Sequence, residues 1–321
     1  MVRFVFGVED LARMRFALSP MNELVSSLLA LRDPSTAAPH VPWLRSLNGR
    51  LDGLELEPAV ALIHMYGYQP DFINPPPSGP VAAIEDDLAA LRATPVSRIR
   101  DEMELFRSQH PRSKVTAAWL AHPRREVTQL ARTLAAYWER ALAPVWPRVR
   151  ELLEADIAYR ARQLTTAGPA ALLAELAPTV SYHDGLLDVE VMRHEAEIVL
   201  GGQGLLLMPS AFAWSRTSVT DRAPWQPTLI YPARGVATLW DEGARAPDGL
   251  RRLLGASRAG LLADLAVPRS TSELARRHEL SPASTSHHLS ALREAGLVSG
   301  RRDGRFVLYR RTPLGDALSA G

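Results

Sequence analysis

The 321-residue chain contains no cysteine. Without a thiol it can form neither a disulfide scaffold nor a thiolate metal site, and it can carry no cysteine nucleophile. A chain without disulfides suits a reducing compartment, and we expect a cytoplasmic protein. Lysine is nearly absent as well, since Lys114 is the only one, so arginine supplies almost all of the positive charge.

Long apolar runs are also missing. No run approaches the roughly 18 residues needed to cross a bilayer, and short runs such as Leu205–Met208 have the length of a buried strand. The first residues, MVRFVFGVEDLARMRF, lack the basic start and apolar centre of a signal peptide. We therefore expect no membrane partner. The apolar fraction of 46% is still enough for a folded core.

The motifs of common catalytic and cofactor sites do not occur. His194-Glu195 lacks the second histidine of a zinc-protease helix, because residue 198 is Ile198. The glycine-rich run 201–204 precedes no phosphate-binding lysine, and no G-x-S-x-G elbow exists. The remaining metal-ligand candidates, which lack a diagnostic spacing, are His64, His183, Asp184 and Asp188. We expect no catalytic residue, no metal and no cofactor.

Charge is distributed unevenly along the chain. Residues 250–321 contain twelve arginines and six acidic residues, so this segment carries +6, which leaves −4 for residues 1–249 of the total of +2. A basic segment attached to a mildly acidic body points to a polyanionic partner for that segment alone. The alternative is a surface that is merely rich in arginine, as the whole chain is.

The N-terminal body is predicted to be mainly helical. Helical spacing of apolar residues, broken by proline and glycine, predicts helices within 8–33, 54–66, 81–92, 95–109, 124–165 and 170–177. Pro144 and Pro147 are expected to divide the longest of these near Trp146. The proline-bounded stretch 34–42 is expected to be a loop.

A β-rich part is predicted between residues 178 and 240. Short apolar runs separated by glycine and proline predict a small antiparallel sheet, with strands at 179–182, 186–191, 196–200, 205–209, 228–231 and 236–239. The polar stretch 241–249 is the best domain boundary. We therefore expect a mainly α protein of the α+β class, with a regulatory or dimerisation domain at 1–245 and a second domain at 250–321.

The second domain begins with three predicted helices. Residues 250–267 are amphipathic and predict the first helix, and Ser270 or Thr271 caps the next one. Ser281-Pro282 has the residue types of an N-cap and a first helical position, and so begins the third helix. The apolar residues expected to face the core from that helix are Thr285, Leu289 and Leu292.

A basic hairpin follows the third helix. Gly296 is a typical residue after a helix, and Asp303-Gly304 is a typical two-residue hairpin turn. Two helices joined by a tight turn and followed by a basic hairpin are the element order of a winged helix-turn-helix. Such a domain holds one helix in the major groove of DNA.

The residues expected to contact DNA are hydroxyl and imidazole side chains on the third helix and arginines on the hairpin. Hydroxyl and imidazole groups can meet bases or phosphates, and guanidinium groups can follow the DNA backbone. The candidates are Ser281, Ser284, Ser286, His287, His288, Ser290, Arg301, Arg302 and Arg305. For His288 the alternative is packing within the domain, and for the arginines it is a solvated hairpin tip.

The run LARRHELSPASTSHHLSALREAGLVSGRRDGRFVLYR resembles the winged helix-turn-helix of the ArsR family of bacterial transcription regulators. The likeness covers about residues 250–320, and lies in Ser284, Ser286, His288-Leu289, the helix exit Leu292–Val298 and the basic wing Arg301–Tyr309. It implies a homodimeric repressor that binds double-stranded DNA and is released by a signal. Classical members sense metals through cysteines, so metal sensing is not expected in this cysteine-free chain.

The preceding residues resemble the uncharacterised N-terminal domain that is fused to such modules in some actinobacterial-type regulators. The likeness lies in the runs FVFGVEDLARMRFALSP, GLLLMPSAFAW and PTLIYPARGVATLW. We expect this domain to receive a small-molecule effector or a partner, at a position that the sequence leaves unknown. Trp119, Trp138 and Trp146 could line such a pocket, although tryptophans more often belong to the core.

The sequence therefore predicts a sequence-specific DNA-binding transcription regulator, expected to be a repressor and not an enzyme. One alternative stays open. The winged helix could serve protein interaction, on a scaffold or an enzyme, without binding DNA. The discriminating feature is an exposed polar helix face beside an arginine-bearing wing, which interaction modules usually lack.

Overall fold

The structure, a computed structural model, describes residues 1–33, 37–64, 67–77, 79–80, 82–111, 113, 115–191, 194–213, 216–240, 248–265, 268–278, 280–303 and 306–320. The chain divides into two units, Met1–Trp240 and Asp241–Gly321. The predicted boundary at 241–249 begins directly after Trp240. Within the described ranges, no helix has both the length and the apolar character that crossing a membrane requires.

Helices are the most abundant elements of the N-terminal unit. They are α1 (Val8–Ala12), α2 (Pro20–Arg32), α3 (Val41–Ser46), α4 (Glu57–Val60), α5 (Ile84–Ala93), α6 (Val96–Gln109), α7 (Thr116–Ala121), α8 (Pro123–Tyr137) and α9 (Trp146–Ala174). A π-helical turn at Trp138–Leu142 follows α8, and 3-10 turns lie at Ala38–His40, Asp71–Ile73 and Val236–Thr238. Pro147 occupies the first turn of α9, where its missing N–H costs nothing.

Two four-stranded sheets lie in the same unit. Their strands are β1 (Val2–Val5), β2 (Arg15–Phe16), β3 (Val180–His183), β4 (Leu186–Val189), β5 (Ala196–Val199), β6 (Leu206–Ser210), β7 (Ser218–Thr220) and β8 (Thr228–Pro232). The strand orders are β3-β4-β1-β5 and β2-β6-β8-β7. Both sheets are mixed, because β1 runs parallel to β5, and β6 runs parallel to β2 and β8.

The predicted α+β class with mainly helical content is confirmed, whereas the predicted antiparallel sheet is wrong. Strands β1 and β2 come from the first sixteen residues, far from the predicted β-rich part, and each adds a parallel pair. A strand was predicted at 236–239, but Val236–Thr238 form a 3-10 turn. This turn directly follows Gly235, whose backbone lies in the left-handed region (φ 80°). The predicted loop 34–42 is partly helical, since Ala38–His40 leads into α3.

Two large apolar cores and a smaller cluster of Ala17, Leu206, Met208 and Ile230 stabilise this unit, and α2 belongs to the largest of them. Leu24 and Leu28 of α2 are fully buried with Tyr137 of α8. The second core lies at the sheets, where Phe4 and Leu187 are also fully buried. Ser19 begins α2 by accepting a hydrogen bond from the Asn22 N–H (3.0 Å), as a helix N-cap does.

The C-terminal unit contains four helices around a small sheet in its described part, with a short helix α10 before them. Its elements are α10 (Asp248–Leu254), α11 (Ala256–Asp264), β9 (Arg269–Ser270), α12 (Thr271–Arg277), α13 (Pro282–Glu294), β10 (Val298–Asp303), β11 (Phe306–Arg311) and α14 (Pro313–Ala320). The sheet has the order β10-β11-β9. The predicted single helix at 250–267 is wrong, because Gly255 adopts φ 81° and separates α10 from α11.

Candidate nucleic-acid interface and ligand cavity

Helix α13 is the candidate DNA-reading helix, and its start is fixed by Ser281. The Ser281 hydroxyl accepts a hydrogen bond from the Ser284 N–H (3.1 Å), and the Ser281 carbonyl accepts one from the Thr285 hydroxyl (3.0 Å). Pro282 then occupies the first helical position. The predicted N-cap is confirmed, so one lone pair of the Ser281 hydroxyl is already used within the protein.

The inner face of α13 packs on the rest of the unit. Thr285 and Leu289 are fully buried and Leu292 is 2% exposed, which confirms the face predicted from their spacing. They share a core with Leu262 of α11 and Leu274 of α12. This core fixes which side of the helix is left for solvent.

The outer face of α13, which we define as Ser286, His287 and Ser290, lies away from that core. At about 100° of rotation per helical residue, His287 lies about 160° around the helix from Leu289, Ser290 about 100° and Ser286 about 60°. His287 therefore lies opposite the core, and both serines lie to one side of it. Ser286 and His287 are exposed and Ser290 is half-buried. Ser284 is also half-buried, on the other side of His287 from Ser290. The outer face therefore offers two small hydroxyls and one imidazole to a partner.

His288 occupies a different environment from His287. Its Nε2 lies 3.4 Å from the Ser284 hydroxyl, and its buried Nδ1 has no hydrogen-bond partner in the described part of the chain. Partial burial, with the positive charges of Arg258 and His287, lowers the pKa of His288. A neutral, half-buried imidazole facing Arg258 favours the packing alternative for this residue.

The wing arginines lie on opposite faces of the hairpin. Arg301 and Arg302 are both exposed on β10, where they pair with Leu308 and Val307 of β11. Neighbouring residues of a strand point to opposite sides, so Arg302 shares a face with buried Val298 and Arg301 does not. The two arginines therefore reach different sides of the wing. Arg305 lies outside the described residues.

Sequence reasoning missed an ionic cluster that connects α11 to α12. Asp264 lies 2.7 Å from the Arg277 Nε, 3.1 Å from the His278 Nε2 and 3.3 Å from the Arg269 Nε. Burial alone would raise the pKa of Asp264, but His278, Arg277 and Arg269 outweigh it and hold that pKa well below its usual range. An acid within the apolar run LLADLA is the signal that could have indicated this cluster.

The cluster changes the interpretation of the +6 charge of this segment. Arg269 and Arg277 are held by an internal carboxylate, so they are not directed to a polyanion. Arginines of the unit whose side chains are exposed are Arg251, Arg252, Arg293, Arg301, Arg302 and Arg310. These residues carry the positive charge that a DNA backbone would meet.

The N-terminal unit contains a cavity of about 490 Å³, which is the size of a small-molecule pocket. It lies between α2, His64 and residues 67–74 on one side and residues 212–213 and 216–222 with β8 on the other. Apolar side chains on its wall are Val25, Leu29, Phe212 and Ile230. Trp119 and Trp138 belong to the apolar core and do not line this cavity, so the idea of a tryptophan-lined pocket is not supported.

The cavity wall also contains a carboxylate, that of Asp71. Unlike Asp264, it is not surrounded by several cationic side chains within the described ranges. Tyr68 donates a hydrogen bond from its hydroxyl to the Asp71 carboxylate (3.1 Å). Burial, with the nearby Glu102 carboxylate, raises the pKa of Asp71 to about 7. Arg222 lies over the Tyr68 ring, 5.3 Å from its centroid. This end of the cavity can therefore hold or release a proton near neutral pH.

The former metal candidates do not assemble into one centre. His183 lies 4.0 Å from Asp188, which is bound to Arg3 (2.7 Å), while His64 stacks on His110. His194 pairs with Asp221 (2.6 Å). The described ranges contain no group of three histidine or acidic side chains able to hold a metal ion.

Two segments of the chain match known families. Residues 261–299 match the family described as bacterial regulatory protein, arsR family, and residues 89–237 match a family of unknown function, DUF5937. The first segment runs from α11 to the start of β10 and contains the whole of α13, which confirms the ArsR resemblance of the second domain. The second segment confirms that the N-terminal part contains an uncharacterised domain. Neither a curated protein nor a solved structure matches the chain.

Proposed function

We propose that this chain, which carries the helix-turn-helix domain of ArsR-family DNA-binding regulators, is a sequence-specific transcriptional repressor controlled by a small molecule. The observation that carries the proposal is the division of α13 into a buried inner face and a solvent-facing outer face, within the matched segment. Leu289 is fully buried, whereas Ser286 and His287 are exposed. A helix of this kind can enter the major groove without disturbing its own core.

The contact residues divide into base-reading and backbone-binding groups. Ser286, His287 and Ser290 are assigned to base edges, because they occupy the outer face of α13. Backbone contacts are assigned to the helix start and to the wing, that is to Ser281, Ser284, Arg301, Arg302 and Arg305. His288 is assigned a supporting role beside Ser284, since its ring is half-buried.

The proposed active form is a cytoplasmic homodimer. One winged helix covers a single half-site, and two copies place their reading helices about one turn of DNA apart. The N-terminal unit is the larger part of the chain and is proposed to hold the two copies together. Analytical ultracentrifugation of the full chain tests this point, with a dimer expected and a monomer at micromolar concentration contradicting it.

Ligand control is proposed to pass from the cavity to the end of the N-terminal unit. Phe212 lines the cavity and stacks on the His40 ring, with centroids 4.4 Å apart. His40 Nδ1 accepts a hydrogen bond from the Trp240 indole N–H (2.8 Å), and Trp240 is the last residue of the unit. A ligand that displaces Phe212 would therefore disturb the packing of Trp240, directly before the connection to the DNA-binding unit.

The test is binding of the purified full chain to the DNA upstream of its own gene, with a random duplex of equal length as control. Fluorescence anisotropy at several salt concentrations separates specific from backbone binding. We expect the upstream DNA to bind at least a hundredfold more tightly than the random duplex, and cell extract to weaken this preference. Absence of DNA binding would support the alternative of a protein-interaction module.

A further inference from the structure

The cavity wall ends in a hydrogen-bond acceptor that the protein does not use. Glu23 is fully buried and accepts hydrogen bonds from Ala211 N (2.9 Å), Phe212 N (3.2 Å) and Asn22 Nδ2 (3.1 Å). The Asn22 amide is thereby oriented so that its Oδ1 accepts from Asn74 Nδ2 (3.0 Å). Asn74 Oδ1 is then left buried, without a partner among the described residues.

When Glu23 is ionised, the orientation of both amides follows from this chain of donors and acceptors. Because Glu23 fixes Asn22 and Asn22 fixes Asn74, rotating the Asn74 amide would break the chain. Nearly all buried polar atoms in proteins have partners. Asn74 and Asn22 both line the cavity. The unused oxygen is itself buried beneath the cavity wall, so a ligand would place a hydrogen-bond donor there when a small shift of the Asn74 side chain brings the oxygen to the cavity surface.

A second acceptor lies three residues before Asn74. The Asp71 carboxylate also lines the cavity, at the 3-10 turn that precedes Asn74. Its donor within the protein is the Tyr68 hydroxyl, and Glu102 adds a second negative charge nearby. Asp71 and Asn74 thus offer two acceptors at one end of the cavity, one of them a carboxylate, which is the environment that a protonated amino group prefers.

The other side chains of the cavity wall indicate which kind of molecule would carry the amino group. Val25 and Leu29 of α2 and Phe212 opposite them provide an apolar surface for a hydrocarbon or aromatic body. Two arginines also line the cavity, but they lie nearer to solvent than the buried Asn22, which is 1% exposed. Arg216 is half-buried and Arg222 is exposed. They would bind an acidic ligand, which is the competing outcome below.

We propose that the cavity binds an amphipathic amine, with its ammonium group between Asn74 and Asp71 and its apolar body against Val25, Leu29 and Phe212. The proposal deepens the proposed ligand control, and only its regulatory meaning rests on that function. The occupant is defined by chemistry as a protonated primary amine on an apolar body that fits about 490 Å³.

Three probes with the same apolar body test the class of ligand. They are 1-naphthylmethylamine as the cation, 1-naphthylmethanol as the neutral molecule and 1-naphthoate as the anion, titrated calorimetrically into the full chain at neutral pH. We expect the amine to bind at least tenfold more tightly than the alcohol, and the naphthoate to bind most weakly. Tightest binding of the naphthoate, equal binding of all three, or no binding of the amine would overturn the proposal.

A matched pair of variants locates the ammonium group. Asp71→Asn keeps the shape of the side chain and removes its charge, so the amine is expected to lose about tenfold in affinity while the alcohol is unaffected. Asp87→Asn changes another buried carboxylate of the same unit that does not line the cavity, and is expected to leave all three affinities unchanged. An unaltered preference for the amine in Asp71→Asn would overturn the assignment.

DNA binding by the same preparation separates this proposal from the proposed function. The variants are first compared with the parent chain in thermal unfolding, to show that each one folds. Failure of amine binding with intact binding to the upstream DNA overturns the ligand class alone. Loss of DNA specificity with intact amine binding overturns the proposed regulator and leaves the ligand class standing.

Discussion

Asp264 in the C-terminal unit and Glu23 in the N-terminal unit are both buried carboxylates, yet their partners differ. Asp264 lies within ion-pair distance of Arg269, Arg277 and His278. Glu23 is bound by backbone N–H groups and by the Asn22 amide. The charged partners keep the pKa of Asp264 well below its usual range, whereas burial raises the pKa of Glu23 to about 7.

This difference indicates what each unit uses its buried charge for. In the C-terminal unit the ionised carboxylate ties α11 to α12, so that α13 is presented by a fixed scaffold. In the N-terminal unit Asp71 lines a cavity, and the buried Glu23 binds two residues of the cavity wall, Asn22 and Phe212. The pKa of each acid is raised to about 7, so each can change its charge near neutral pH. The ion pairs of Asp264 favour a rigid C-terminal unit. The acids of the N-terminal unit favour a response to pH or to a bound ligand.

The largest expected effect is that of Asp264→Ala. This change leaves Arg269 and Arg277 without their common carboxylate in a partly buried place, which costs about 3 kcal/mol of the free energy of unfolding. Denaturant unfolding measures the cost, and DNA binding should fall with it. Asp316→Ala removes a carboxylate that is 64% exposed from its pair with Arg311, and should cost no more than about 0.5 kcal/mol. Equal costs for the two variants would contradict the role of the cluster.

The next effect concerns the pH dependence of stability that Glu23 contributes. The unfolded chain releases this proton near pH 4.5 and the folded chain near 7. The folded state therefore holds more protons between these values, so stability falls as the pH rises through this window, by up to about 1.4 kcal/mol per pH unit.

The difference in unfolding free energy between the parent chain and Glu23→Gln isolates this contribution, because His40 and Asp71 are common to both. The advantage of the parent chain should shrink from pH 5 to pH 7 and then level off. Glu9→Gln, at a carboxylate with an exposed side chain, serves as the control and should show no such trend. An advantage that grows with pH would show that Glu23 is ionised in the folded state.

A smaller effect is expected from the wing. Arg301→Ala with Arg302→Ala should weaken binding to cognate and random DNA alike, by about tenfold at low salt. It should also reduce the slope of log affinity against log salt by about one unit for each lost phosphate contact. Since the two side chains point to opposite faces of the hairpin, the single variants show which face meets DNA. Arg162→Ala, at an exposed arginine of α9, should leave the slope unchanged, and an unchanged slope in the double variant would exclude the wing.

The smallest effect separates two neighbouring histidines. His287→Ala should reduce discrimination between cognate and random DNA by about 1 kcal/mol, because the ring lies on the outer face of α13. His288→Ala should lower stability and leave the discrimination nearly intact, because its ring is half-buried beside Ser284. Competition binding with both duplexes measures the two ratios, and equal losses on both duplexes for His287→Ala would reject base reading.

The C-terminal unit was predictable where its structure depends on local signals. Ser281-Pro282 determines where α13 begins, and the spacing of Thr285, Leu289 and Leu292 determines its buried face. Gly255, which breaks the predicted first helix, was overlooked, although glycine tolerates the left-handed conformation that such a break requires. Asp264 was missed because its partners lie five to fourteen residues away, beyond the range of helical spacing.

The N-terminal unit was less predictable because its organisation depends on distant pairs. Strand β1 pairs with β4 and β5 across more than 180 residues, and an isolated four-residue run gives no sign of such partners. The cavity likewise joins Asn22 and Asn74 to the backbone at 211–212. The sequence contains the residues of these strand pairs and of the cavity, but a single sequence does not indicate that they lie close together in the fold.

The central claim, that the outer face of α13 enters DNA, can be tested directly because the chain has no cysteine. Ser286→Cys introduces a unique thiol on that face, and Ala317→Cys introduces one at an exposed position of α14. Each thiol is labelled with a copper–phenanthroline group that cleaves nearby DNA. Cleavage confined to a few base pairs of the upstream DNA by the label at residue 286, and weak or absent with the label at residue 317, is the predicted result. Uniform cleavage, or equal cleavage from both positions, would contradict the account.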